Sequence, residues 1–368
     1  MIHTLLLILP FCLLTESNEA EDGIDELLGS VDLSEWDAWF REEVPESSFC
    51  PSAFVNELAG MEDSPDTNGI LDRAIRFMQP SIRAAAGKLV FLIGLAVLAA
   101  VLNGIDARGS VSETAGSAFR IITACIVLTA SVSEIRAVYR MFGMIADLSE
   151  SVLPVLIGFL TICGMEHTAG ILLPSYALLS GVMIRLMETA VIPIGCIGGV
   201  MTALDACTTG RLAALGKLLL RAAKWMLAAI ASVYGILGAF RGAAAASADG
   251  LLLRTAKLAA GSIPAVGSIV SGSVETAYQC LIFVKNALGL GCCALILLAC
   301  AKPIVNAFFV RCSFRAASAV SEPLSGRPYA DLLRGMGDML HILVLCELAA
   351  GAMALSAIAP VIGVGRFS

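Results

Sequence analysis

Apolar runs recur along this chain from Leu89 almost to its C-terminal end. Leu89–Ile105, Ile121–Val132, Ser151–Gly164, Ala169–Met187, Ala190–Leu204, Trp225–Phe240, Asn286–Ala301 and Ile342–Val361 each read as a candidate bilayer crossing, and Pro303–Val320 is a further run. A helical crossing takes about 20 predominantly apolar residues, and in hydrocarbon every backbone N–H and C=O must be paired within the spanning structure. Runs of this kind without strict alternation therefore predict helices. The shorter ones must borrow polar flanks to reach across. Composition agrees: 58% of the 368 residues are hydrophobic and 15% are charged, whereas soluble domains carry about 45–50% and about 25%. A large buried α-solenoid is the soluble alternative, and the long charge-free runs argue against it. The expected fold class is all-α, a polytopic integral membrane protein with about 7–8 transmembrane helices. Pro303–Val320 carries Arg311 and Arg315. Each would cost about 2.5–3.5 kcal/mol at mid-bilayer, so that run is either a ninth crossing or an interfacial segment.

Charge divides the chain. Between Glu16 and Asp72 lie 17 of the 31 acidic residues and a single basic one, Arg41. From Arg73 onward 23 basic residues face 14 acidic ones. Four segments follow. Residues 1–17 hold an apolar run, Leu5–Leu14, too short to span, followed by Thr15-Glu16-Ser17. That suits a secretory signal peptide cleaved after Ser17, with a retained anchor as the alternative. Residues 18–70 form an acidic extracytoplasmic segment. Trp36, Trp39 and Phe40 there fit either a partner-docking helix or a weakly ordered linker. Residues 71–88, with Arg73, Arg76, Arg83 and Lys88, predict a basic amphipathic helix at a membrane surface. Residues 89–366 are the polytopic membrane domain. Arg211, Lys217, Arg221 and Lys224 make Asp205–Lys224 the expected cytoplasmic loop. A basic membrane body of this kind points to a lipid bilayer and not to nucleic acid.

Chemistry-bearing motifs are scarce. Cys125, Cys163, Cys196, Cys292, Cys293, Cys300 and Cys346 lie in apolar runs without zinc spacing, and read as small hydrophobes. Glu166-His167 lacks the second histidine that a His-Glu-x-x-His metalloprotease needs, since position 171 is Ile. Arg185 and Glu188, three apart on a helix, read as a same-face ion pair, with a proton-relay carboxylate as the alternative. Gly195 and Gly199 have the spacing that lets helices approach closely. No catalytic set can be assembled, so no enzyme, cofactor or metal is expected.

The exception is a charge-dotted cassette between two apolar blocks, residues 251–285. Arg254 and Lys257 share a helix face, Gly261, Pro264 and Gly267 supply a backbone break, and a second amphipathic stretch carries Glu275 and Lys285. Helix, break, helix is the pattern of a re-entrant element, which survives at membrane depth only inside protein or along a water-filled cavity. Two readings fit: Arg254, Lys257, Glu275 and Lys285 line a pore or form ion pairs, or they decorate an amphipathic loop at the surface.

This cassette also carries a resemblance. Ala248–Gly250, Arg254–Lys257, Gly261, Ile263–Gly267, Glu275–Thr276 and Lys285–Gly289, supported by Leu153-Pro154-Val155-Leu156 and Glu322-Pro323-Leu324, resemble the signature of the stage III sporulation protein AE family. The similarity extends over residues 70–366. It implies an integral-membrane subunit of a channel or secretion-like complex between mother cell and forespore, located in the mother-cell membrane and required for endospore development. The implied partners are other membrane proteins of the same sporulation operon, a forespore-side channel protein, and further copies of the chain in a homo-oligomer. The alternative function is a stand-alone secondary transporter, which would need paired broken helices in two halves of the chain. Alanine at Arg254, Lys257, Glu275 and Lys285 together is expected to lower spore yield and disrupt complex assembly. Unchanged yield and assembly would refute the pore-lining reading of the cassette.

Overall fold

The computed structural model describes residues 37–38, 67–105, 110–162, 170, 173–205, 212–261, 267–325 and 327–363, and for parts of these, 67–78, 102–105, 110–117, 241–287 and 359–363 among them, it describes the backbone alone. In chain order the elements are α1 (Thr67–Ile105), α2 (Ser110–Ile162), α3 (Leu173–Leu186), a π-helical turn (Met187–Val191), α4 (Ile192–Asp205), α5 (Ala213–Gly261), α6 (Gly267–Ser325) and α7 (Arg327–Gly363). Among the described residues there is no strand. The fold is all-α, and because α3, the π turn and α4 are continuous it consists of six rods. Each rod contains a stretch long and apolar enough to cross a membrane.

The apolar runs of the sequence fall on fewer, longer helices than their number suggests. Ile121–Val132 and Ser151–Gly158 both lie on α2, joined by a segment, Ser133 to Glu150, with no proline to break it. At 53 residues, α2 is about 80 Å long, well beyond the ~30 Å hydrocarbon core. Asn286–Ala301 and Pro303–Val320 likewise share α6, which carries Pro303 in its interior. The last described run, Ile342–Gly363, continues a helix that opens at Arg327. Lys217, Arg221 and Lys224, expected in a loop, instead sit on α5. That helix starts early because the Asp205 carboxylate accepts a hydrogen bond from the Leu212 N–H at 2.8 Å, just ahead of its first turn. The amphipathic stretch 71–88 and the run from Leu89 are one helix, α1.

The π turn has a local cause. Pro193 has no N–H to offer, and its ring would clash with the carbonyl four residues back. One wide turn relieves this: the Ile192 N–H reaches the Met187 carbonyl, five residues earlier.

α7 is the central helix. Of its apolar window 56% is buried, against 22% for the windows of α1 and α5. It packs on α6, α4, α2, α3 and α5. Lipid tails are as apolar as leucine, so helix association in a membrane draws on close packing and interhelical hydrogen bonds. Both are present. A Cβ built on Gly199 would meet Met339 at 2.6 Å, and one on Gly195 would meet Ile342 at 3.3 Å, so the two glycines seat α4 against α7. Gly216 and Gly198 bring α5 to α4 in the same way. Tyrosines then bond across helices. Tyr234 donates to the Met353 carbonyl at 2.9 Å, Tyr329 to the Leu92 carbonyl at 3.1 Å, and Tyr176 to the Gly238 carbonyl. A small apolar cavity lined by Leu148, Val152, Ala177, Ile296 and Ile358 lies between α2, α3, α6 and α7.

The glycine contacts are testable. A side chain on Gly216 would come within 2.6 Å of Thr202 Cγ2 and 2.9 Å of the Gly198 carbonyl oxygen, whereas one on Gly235 would meet nothing within 4 Å. Gly216→Val is expected to destabilise the detergent-solubilised protein by about 1–3 kcal/mol in thermal unfolding, and Gly235→Ala to leave it unchanged or slightly more stable. Equal stability of both variants would contradict this packing.

Candidate functional site: buried charges between four helices

Ionisable groups inside membrane-spanning helices are costly and are generally kept for a role. Among the described residues, a concentrated set of them is contributed by α1, α2, α6 and α7.

Glu134, on α2, is 3% exposed. Its Oε1 accepts an ion-paired hydrogen bond from Lys88 Nζ of α1 and a longer one, 3.4 Å, from the adjacent Ser133 hydroxyl. Its Oε2 accepts from the Asn306 side-chain amide of α6 at 3.3 Å. Three helices are thus tied to one carboxylate. Lys88 was read as a membrane-surface residue. Its ammonium pairs with the buried Glu134 while the side chain as a whole is 34% exposed, a reach that the long lysine stem allows.

Glu347, on α7, is the contrasting case. It is 0% exposed, and neither carboxylate oxygen has a hydrogen-bond partner. It lies within electrostatic reach of Glu134 and of Cys300. An isolated carboxylate buried this way is expensive. A proton, a cation or a donor from outside the described residues must balance it. Two carboxyl groups on facing helices, one saturated by three donors and one with none, make an arrangement suited to holding or passing a small cation or proton.

A second set of charges faces outward. Arg136 and Arg140 are exposed on α2, four residues apart and hence on one face. Neither has an ion pair among the described residues. Beside them Tyr139 donates to the Glu188 carbonyl oxygen at 3.2 Å, placing the π turn of the α3–α4 rod against α2. Arg185 and Glu188 pair at 3.1 Å, the same-face pair that their spacing predicts.

The cassette positions fall at the adjoining ends of two helices. Arg254 and Lys257 belong to α5, which ends at Gly261, and Glu275 and Lys285 belong to α6, which opens at Gly267. The side chains of all four lie outside the described residues, as do Pro264, Glu166-His167 and the leader at 1–17. No group of three metal-ligating side chains occurs among the described residues. The described cysteines are free thiols, and Cys292, Cys300 and Cys346 are buried.

Sequence reading passed over Glu134 and Glu347. The signal for Glu347 was available: it is the one charged residue in the run Ile342–Val361. Glu134 was harder to find, because it sits among other polar residues between two apolar runs.

Comparison with known proteins gives concordant results. A family model described as stage III sporulation protein AE matches residues 50–365. A protein of Bacillus subtilis (strain 168) named stage III sporulation protein AE is 23% identical over 249 residues, covering 67% of this chain. The chain spans 62% of that relative's length. No solved structure matches.

The two carboxylates should respond differently to substitution. Lys88→Met strands a buried carboxylate and is expected to cost about 3 kcal/mol, with part of the loss recovered in the Lys88→Met/Glu134→Gln double variant. Glu347→Leu removes a group without partners and should leave thermal stability unchanged or raised. Additive losses in the double variant, or a collapse of the Glu347→Leu protein, would contradict these assignments.

Proposed function

We propose, from the premise that this chain belongs to the stage III sporulation protein AE family, that it is the integral-membrane subunit of a sporulation-specific channel or secretion-like complex between mother cell and forespore. The role in sporulation follows from the family, and the all-α membrane fold from the six apolar rods. The further elements of the reading are a channel complex, a mother-cell membrane location around the forespore, and assembly with other membrane proteins of the same operon and a forespore-side channel protein. In it the chain acts as a structural or transport subunit and not as an enzyme.

The observation that favours a subunit over a self-contained transporter is the exposed face carrying Arg136 and Arg140. Both lie on the candidate membrane-spanning stretch Ile121–Gly158, in the more polar segment between its two apolar runs. Charges on apolar helices face protein or a water-filled path, because lipid rejects them. Within one chain nothing described covers these two arginines, so the reading assigns the cover to a neighbouring subunit or to an aqueous passage between subunits.

The test is complementation together with purification. In an endospore-forming host lacking its own copy, this chain should restore heat-resistant spores. Arg136→Leu/Arg140→Leu should fail to do so while reaching the membrane at normal levels. The tagged wild type should copurify with other sporulation membrane proteins, and the double variant should lose them. Solute uptake by liposomes containing the purified chain alone would instead support a stand-alone secondary transporter.

A further inference from the structure

A second polar cluster lies between α5, α6 and α7, apart from the carboxylates already described. Its geometry follows from the helix register. α6 and α7 run antiparallel, fixed by Arg315, which donates to Asp338 at 2.6 Å, and by the Ser318 hydroxyl, which donates to the Ala330 carbonyl at 2.9 Å. One turn along each helix, Arg311 comes to lie opposite His341. α5 runs parallel to α7: Gly216 and Gly335 both lie against Thr202, and 18 residues further along each helix Tyr234 donates to the Met353 carbonyl. About three turns before Tyr234, Lys224 is level with Leu343, beside the same histidine. The imidazole of His341 accordingly lies in the field of Arg311, Lys224, Asp338 and Arg315.

The charges do not balance. Asp338 is engaged by Arg315. Arg311 and Lys224 have no acidic partner among the described residues. Arg311 Nε and His341 Nδ1 are buried without a hydrogen-bond partner. An Arg Nε–H can only donate, so the orphan on Arg311 calls for an acceptor, and the surplus charge around it calls for an anion. Position indicates which kind. Lys224 is followed by Trp225, which is 72% exposed and opens the apolar run to Phe240. A lysine followed by an outward tryptophan at the edge of an apolar run marks the headgroup layer.

We propose that Lys224, Arg311 and His341 form a binding site for a phosphate-class oxyanion, presented either by an anionic lipid headgroup or by a soluble phosphate. Arg311 supplies the charge-assisted donors, Lys224 a second cation, and His341 a ring nitrogen that orients the ligand. Arg315 and Asp338 act as a spacer that holds α6 and α7 at the right separation. The site does not rest on the role in sporulation.

The test uses the full chain in a nonionic detergent, with thermal unfolding as the readout. One arm titrates inorganic phosphate against chloride at equal ionic strength. The other compares mixed micelles containing phosphatidylglycerol with micelles containing phosphatidylcholine. Saturable stabilisation of the wild type is expected in at least one arm. Loss of one charge-assisted contact should weaken the apparent affinity about tenfold in Arg311→Gln and in Lys224→Gln. It should stay unchanged in Arg334→Gln, whose guanidinium is spent on Glu322 at 3.1 Å and Asp331 at 3.0 Å. A response to phosphate identifies a soluble oxyanion, and a response confined to phosphatidylglycerol identifies a headgroup. Stabilisation in neither arm, or equal stabilisation of the wild type and both site variants, overturns the proposal. Should Arg311→Gln fail to fold, Lys224→Gln decides alone, because Lys224 makes no hydrogen bond to the described residues.

Discussion

α7 is surrounded by protein in a medium that gives apolar side chains no reason to leave it. That constraint governs the rest of the fold. In water a helix with so many buried leucines and methionines would be held by the hydrophobic effect; in lipid the same side chains are at home on either side of the interface. What keeps α4 and α5 against α7 is therefore closeness of approach and interhelical hydrogen bonding. Gly195 and Gly199 remove the side chains that would hold the rods apart, and Ile342 and Met339 fill the space. Tyr234 and Tyr329 lend hydroxyls to carbonyl oxygens of neighbouring helices. Each such bond is worth little by itself, on average about 0.6 kcal/mol in membrane proteins. Their value lies in register: they fix which residue of one rod stands beside which residue of the next, and every polar site in the molecule inherits its geometry from that register.

Register explains why charges in this chain come in two kinds. Where it brings complementary groups level, they satisfy one another, as Lys88, Glu134 and Asn306 do across three helices and as Arg315 and Asp338 do within the α6–α7 hairpin. Where it does not, a charge is left over. Glu347 is left over in the interior, and Arg136 and Arg140 are left over on the outside. Structural charges in a membrane protein are expected to be of the first kind, since one broken buried pair costs several kcal/mol. The second kind marks positions where something other than stability is being served.

The all-α membrane fold was legible because the hydrocarbon imposes it. Runs such as Ala190–Leu204 and Ile342–Val361 have no other low-energy arrangement. Helix number was less legible. Hydropathy registers where a helix is apolar, not where it ends, and the polar stretch from Ser133 to Glu150 reads as a gap although its residues are good helix formers. Gly195 and Gly199 were recognisable as a close-approach pair from spacing alone, and so was the Arg185–Glu188 pair. The carboxylate cluster was not, because its members come from four helices and no periodicity within a single helix connects Lys88, Glu134, Asn306 and Glu347. The cassette shows the reverse. Arg254, Lys257, Glu275 and Lys285 are conspicuous in sequence because they fall in one stretch between two apolar blocks, and conspicuous spacing by itself does not reveal which neighbours they meet.

The two kinds of unsatisfied charge demand different remedies, and that separates two tasks within one chain. Arg136 and Arg140 are exposed on the described bundle, so water, another molecule or a part of the chain outside the described residues satisfies them. Glu347 is fully enclosed, so it is balanced from within the chain's own bundle, by a proton, a small cation or a donor outside the described residues. Loss of the outward arginines would then impair assembly while leaving the interior intact. The position of Glu347 within the most buried apolar window is what an outward-facing role alone leaves unexplained.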